Sequence, residues 1–237
     1  MQAERIVALH QPNFFPWLGY FDKIVRADVF VLLDDVQFSK TGGTWSNRVQ
    51  LLAGDQARWV TLPVVRTYHG LRQIREMEID NRQPWRRKLL QTLRANYGRA
   101  PHFDAVFPHV AELIENDTTS LLEFNLRALT ALCGLMDIET NKLVRGSSLQ
   151  IGGRATDRLI DAVQAVGGTS YLCGGGAGDY QDDHSFSQAG VRLVYQNFEH
   201  PIYAQGHSET FVAGLSCVDA LMHCGFKGTR QLLERRN

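Results

Sequence analysis

Apolar positions along this chain follow two rhythms. Ile6, Val7, Ala8 and Leu9 form an unbroken run within Arg5–Gln11, the pattern of a strand buried on both faces. Pro12 and Pro16, which lack an amide donor, then stop regular pairing. From Trp17 to Ala27, Leu18, Phe21, Ile24 and Val25 recur at helical spacing, and Asp28–Phe38 carries a second continuous run from Val29 to Leu33. Two buried runs around one helix predict a βαβ unit, with a parallel strand pair and a right-handed crossover.

Gly42-Gly43 breaks this pattern. Asn47–Leu52, Arg58–Val65 and Ile74–Ile79 then read as strands of a local antiparallel excursion, with Val60, Leu62 and Val64 alternating in the second. Pro84 opens a helix whose Leu89, Leu90, Leu93 and Tyr97 share a face before Gly98. Pro101–Glu115 and Ser120–Met136 are further helices, the last headed by Thr118-Thr119-Ser120 as capping residues. Alternation then resumes with a strand at Lys142–Ser147 and a helix at Arg154–Val166. A strand at Thr169–Cys173 runs into Gly174-Gly175-Gly176, and another follows at Val191–Phe198. Helices at Val212–His223 and Gly228–Arg235 close the chain. These elements predict one α/β domain over residues 1–237: a Rossmann-like, mostly parallel sheet with the antiparallel excursion and a helical insert near 83–137.

Composition narrows the function classes. The chain has 237 residues, with 25 Lys and Arg balanced by 25 Asp and Glu, so it lacks the basic excess of a dedicated nucleic-acid binder. No apolar stretch approaches the ~18 residues of a membrane span, and Met1-Gln2-Ala3-Glu4-Arg5 shows no signal peptide. Cys133, Cys173, Cys217 and Cys224 contain no C-x-x-C pair, which argues for free thiols rather than disulfides or a zinc ribbon. The expectation is a cytoplasmic protein, as monomer or homodimer.

In open α/β sheets, ligands gather beyond the carboxyl ends of the strands, which singles out three segments. The first strand ends in His10-Gln11-Pro12-Asn13, where an imidazole is available as acid, base or donor to an anion. The second ends in Asp34-Asp35; if the strand persists, the two carboxylates point to opposite faces, one structural and one facing a ligand hydroxyl, amine or Mg²⁺. The third runs from Cys173 through Gly174, Gly175 and Gly176 toward Tyr180, a glycine turn whose amides can approach phosphate, although neither G-x-G-x-x-G nor the P-loop pattern is met. Cys173 as a nucleophile would need His184 or His207 as its base. Neither His200 with His207 nor Asp182-Asp183-His184 has the spacing of a metal motif, so no metal site is assigned. The run Trp85-Arg86-Arg87-Lys88 reads as a solvated helix face.

The chain resembles the WbqC-like family. The likeness lies in His10-Gln11-Pro12-x-Phe14-x-Pro16-Trp17-x-Gly19-Tyr20, in Asp34-x-Val36-Gln37-Phe38, and in Lys40, Trp45 and Asn47-Arg48. It continues through Trp85, Tyr97-Gly98-x-x-Pro101-x-Phe103, Arg158-Leu159-Ile160, Tyr171-Leu172-x-Gly174-x-Gly176-x-x-x-Tyr180 and Leu215-Ser216-x-x-Asp219. Cys173 stands where the resemblance leads one to expect serine, and Gly42-Gly43 lengthens the loop before Trp45. More weakly, the strand, proline turn and W-x-G-Y helix start are similar to the opening of pantothenate synthetases, with Trp17 and Tyr20 in the places of the phosphate-binding histidines.

The resemblance implies a role in surface polysaccharides of the O-antigen type. The reading is an enzyme acting on a precursor: a transferase or ligase for an amino sugar or nucleotide sugar, with a nucleotide and Mg²⁺ as candidate cofactors. His10, Asp34 and Asp35 are its candidate catalytic residues. Gln11, Asn13, Trp17, Tyr20, Gln37, Lys40, Asn47, Arg48, Tyr171, Cys173, Gly174, Gly175, Gly176 and Tyr180 are candidate binding residues. The alternatives are a non-catalytic sugar- or nucleotide-binding accessory protein and a cysteine hydrolase.

Overall fold

A computed structural model describes residues 3–41, 44–174, 183–206 and 210–234. The chain divides into two compact units: residues 1–11, 19–36 and 139–199 form the first, and residues 12–18, 37–138 and 200–237 the second.

The first unit is a five-stranded parallel sheet. Its strands are β1 (Ile6–His10), β2 (Val29–Leu32), β5 (Leu143–Arg145), β6 (Ser170–Cys173) and β7 (Arg192–Tyr195), in the order β5-β2-β1-β6-β7. The three central strands are buried, as continuous apolar runs require, whereas the edges β5 and β7 keep partial exposure. α1 (Leu18–Arg26) connects β1 to β2, and α5 (Ala155–Ala165) connects β5 to β6. α6 (Asp183–Gln188) precedes β7 and is a helix that the apolar spacing does not announce.

Period-two alternation assigns the two faces of this sheet. Val7, Leu9, Val29, Val31, Tyr171 and Cys173 pack with Ile160 and Val163 of α5 and Phe186 of α6. The other parity, Ala8, His10, Phe30, Leu32 and Leu172, serves the α1 side, where Tyr20 lies 5.2 Å from Phe30 and 4.6 Å from His10, ring centre to ring centre.

The turn between α5 and β6 shows how tightly this core is set. Gly167 takes a positive φ of 69°, and the amides of Gly167 and Gly168 bond the carbonyls of Gln164 and Val163, a Schellman ending. A methyl group on Gly168 would overlap Val7 and approach Val163 Cγ1 to 2.8 Å. Gly168→Ala is therefore expected to lose about 1–3 kcal/mol to overpacking, read as a lower urea midpoint at unchanged slope.

The second unit holds the antiparallel hairpin β3 (Arg48–Ala53) and β4 (Gln56–Thr61), closed at Gly54 with φ 67°. Its helices are α2 (Trp85–Tyr97), α3 (Phe103–Glu115), α4 (Leu121–Leu135) and α7 (Cys217–Glu234). Ser120 caps α4 by accepting the Glu123 amide at 3.2 Å. The two predicted C-terminal helices both lie within α7, as two helical segments that meet at a kink at Gly225, whose φ of 68° is non-helical. Ile74–Ile79 is not a strand. Ile74–Glu76 is a 3₁₀ turn, and Glu78 and Ile79 make only isolated bridges to Ser120 and Val64. Ile74 and Met77 are three apart and both buried, the spacing of a 3₁₀ turn rather than a pleat. Among the described residues no helix is long and apolar enough to cross a membrane.

Candidate functional site

The strand order reverses at β1. From it the chain builds outward through β2 to β5, then returns to β6 on the other side and continues to β7. The carboxyl ends of β1 and β6 therefore flank the position where ligands collect in open α/β sheets. His10 ends β1, and the register Ile6–Ser170, Val7–Tyr171, Ala8–Leu172, carried two residues further, sets His10 beside Gly174.

α1 brings two side chains to this point. Tyr20 and Lys23 are three residues apart and share a helix face. The Tyr20 hydroxyl donates to the Gln11 carbonyl at 3.1 Å. Lys23 is 5% exposed and makes no hydrogen bond or ion pair among the described residues. Its ammonium faces Gly174, where a Cβ would lie 3.5 Å from Nζ. Burial, before any neighbouring charge, pulls the Lys23 pKa down to about 8. His10 is lowered further, to about 3, first by burial and then by repulsion from Lys23.

The ring of His10 is consequently neutral at physiological pH. Its Nδ1 lies 3.1 Å from the Gln11 carbonyl, a partner that can only accept, so the proton resides on Nδ1 and Nε2 keeps its lone pair. In this state His10 accepts a hydrogen bond from a hydroxyl or amine. It does not supply a proton.

The Asp pair divides differently from the alternation expected of a continuing strand. β2 ends at Leu32, and Leu33 N–H bonds the His10 carbonyl at 2.9 Å. Asp34 is fully buried and accepts from Arg145 Nε (3.2 Å), Ser147 N–H (2.8 Å) and Ser147 Oγ (2.7 Å). Asp35 Oδ2 pairs with Arg158 across 2.6 Å, while its buried Oδ1 has no hydrogen-bond partner among the described residues. Asp34 thus fills the structural role, and Asp35 retains one unused oxygen.

Tyr171 and Cys173 point into the core on the α5 and α6 side. The Cys173 thiol donates to the Val194 carbonyl at 3.5 Å, and burial raises its pKa despite the opposing pull of Lys23. That setting disfavours the thiolate that a cysteine hydrolase would use. Gly174, one residue on, is of opposite parity and lies on the side of Lys23. Gly175, Gly176, Tyr180 and His207 lie outside the described residues.

The remaining candidates belong to the second unit, and most are engaged there. Asn47 Nδ2 donates to the Leu62 carbonyl (3.0 Å), and its Oδ1 accepts the Thr44 amide (3.2 Å). Lys40 donates to the Tyr68 carbonyl (2.9 Å), Arg48 lies 4.1 Å over the Trp59 ring, and Gln37 is exposed and bridges Gln73. The Trp17 ring lies 5.3 Å from that of His200, while the Asn13 side chain is buried without a hydrogen-bond partner among the described residues. Much of the proline-rich motif is structural: Asn125 bonds the Pro12 carbonyl, Ser216 Oγ that of Phe15, and Cys217 N–H that of Pro16. Phe15 is held at a φ of 41° between these anchors. Asp219, another motif residue, is buried and accepts from Tyr203 (2.7 Å) and Gln205 (3.0 Å).

The candidate residue that sequence reasoning missed is Lys23. Its one signal is position: within the amphipathic pattern of α1 it falls on the face of Tyr20, three residues on, instead of on a solvated face.

Comparison with known proteins adds the lineage. A family model described as the WbqC-like protein family matches residues 11–231. The chain is 31% identical over 194 residues to the uncharacterized protein Rv1507c of Mycobacterium tuberculosis, an alignment covering 81% of this chain and 82% of that one. No solved structure matches.

Proposed function

Because the chain belongs to the WbqC-like protein family, we propose that it is an enzyme of surface-polysaccharide precursor biosynthesis: a transferase or amide-forming ligase acting on an amino sugar or nucleotide sugar. We further take the first unit as Rossmann-like, since its strands, counted in chain order within the sheet, run 3-2-1-4-5. The observation that carries the reading is the meeting of His10, Tyr20, Lys23 and Gly174 where that order reverses. His10 Nε2 accepts the hydrogen bond of the attacking amine or hydroxyl, and Lys23 offsets negative charge on the substrate. Asp35 is the carboxylate left to orient a polar group. With Asp34 committed to Arg145 and Ser147, and Asp35 to Arg158, neither is assigned Mg²⁺.

The test is incubation with nucleotide-linked amino sugars and activated acyl donors, followed by mass spectrometry of the sugar. The expected product carries the acyl group as an amide, and His10→Gln lowers its rate of formation by about 10²-fold or more. Saturable binding without product from any donor would instead favour a non-catalytic binding protein. One observation suits that second reading: a cleft of about 290 Å³ in the second unit, lined by Phe14, Thr61, Gln83, Trp85, Lys88 and Thr92 among others. It combines aromatic walls with hydroxyl, amide and ammonium groups, a composition suited to a sugar ring.

A further inference from the structure

We infer that Lys23 is the receptor for a phosphate group of the substrate, and that Gly174 is glycine to leave room for that phosphate against the ammonium. The inference rests on the proposed site at the ends of β1 and β6, and it names the class of ligand that site takes: a phosphorylated or diphosphate-linked compound.

The Lys23 residue is 95% buried and its ammonium has no hydrogen-bond acceptor among the described residues, so a ligand anion reaching the part of Nζ that stays accessible would supply the missing partner. Among the described residues, Asp22 and Cys173 favour the charged form of Lys23 only through space, and burial outweighs them. His10 is neutral, and the Cys173 thiol is turned to the opposite face and bonded to Val194. Asp22, on the same helix, gives its carboxylate to Arg26 (3.4 Å) and Gln196 (2.9 Å).

Gly174 supplies the second, independent observation. Its φ lies outside the left-handed region, so the backbone does not demand glycine. What a side chain would do there is occupy the space in front of Nζ, since its Cβ would stand 3.5 Å away. A Cβ there would sit in ordinary contact with Nζ, so a side chain at this position would share with any ligand the side that the ammonium faces. Lysine is a compact point charge that suits phosphate, with no fork to match a planar carboxylate. A bound phosphate also cancels the repulsion of Lys23 on His10, so its arrival makes the imidazole more basic.

The experiment uses the full chain with inorganic pyrophosphate and UDP as probes and galactose as the uncharged control, read by thermal shift and calorimetry. Both anions are expected to raise the wild-type Tm saturably, less so in high salt, whereas galactose leaves it unmoved. Lys23→Met is expected to bind pyrophosphate at least about tenfold more weakly, with a ligand-free Tm equal to or above that of wild type. Gly174→Ala, which keeps the charge and only fills the space, is expected to weaken binding severalfold and settles the matter should Lys23→Met fail to fold. NMR of the His10 imidazole is expected to show a higher titration midpoint with pyrophosphate than without. Lys23→Met binding as wild type, Gly174→Ala binding as wild type, an unmoved His10 midpoint, or no wild-type response to either anion would each overturn the inference. Pyrophosphate binding lost in Lys23→Met, in a protein that yields no acylated sugar, would sink the enzymatic reading and leave this one standing. Undiminished product formation by Lys23→Met would do the reverse.

Discussion

Asp34→Ala is expected to lose about 2–4 kcal/mol of folding stability. The carboxylate is wholly buried, and it joins the end of β2 to the 3₁₀ turn Gly146–Ser148 through Ser147 N–H, Ser147 Oγ and Arg145 Nε. Alanine removes all three bonds and leaves the Ser147 amide without its acceptor. Asp34→Asn keeps the shape and one carbonyl oxygen but cannot accept from Arg145 and Ser147 with a full charge, so it falls between alanine and wild type. Urea denaturation of the three proteins checks the order. Because Leu33 N–H bonds the His10 carbonyl, loosening this corner also displaces the imidazole. Asp34→Ala is therefore expected to slow the proposed acyl transfer without removing a substrate contact. A wild-type stability for Asp34→Ala would show that the latch contributes nothing.

Acid is expected to act on stability through His10. The imidazole titrates near 6.5 when unfolded and near 3 when folded, so the unfolded chain binds its proton first as pH falls. The stabilisation held by the neutral, part-buried ring is complete above pH 6.5 and is lost progressively down to about pH 3. Realised in full, that interval corresponds to roughly 5 kcal/mol, at about 1.36 kcal/mol per pH unit. His10→Gln, which keeps a polar group but does not titrate, is expected to remove this component. The difference in unfolding free energy between the two proteins should shrink steadily from pH 6.5 downward. The Lys23 ammonium works in the same direction, because its field is part of what keeps His10 neutral, and Lys23→Met is expected to narrow the wild-type slope. Parallel pH profiles for wild type and His10→Gln would show that the ring is solvated in the folded state.

The parts of the site that could be read from the amino acids alone were those set by a strand and its turn. His10, Gln11 and Gly174 stand at the ends of apolar runs, and Tyr20 opens the helix that follows the prolines, so local pattern was enough to find them. Lys23 was not legible. A lysine within a helix ordinarily marks its solvated face, and only the packing of α1 over β1 and β6 turns this one inward. Cys173 and Gly174 were equally prominent as neighbours, and strand parity separated them, sending the thiol into the core and leaving the glycine at the site.

The sequence by itself determined the alternation of strands and helices, the parallel βαβ opening and the helical stretch after Pro84, because apolar spacing depends on residues a few positions apart. It also carried the family, through motifs whose carbonyls and hydroxyls turn out to hold the fold. Only the tertiary structure decided which polar residues are spent. Asp34 and Asn47 are satisfied by partners 113 and 15 residues away, and Lys23 meets Gly174 from the far end of the unit. Whether a charge is already paired depends on groups brought together by the closed sheet, and no local pattern records that.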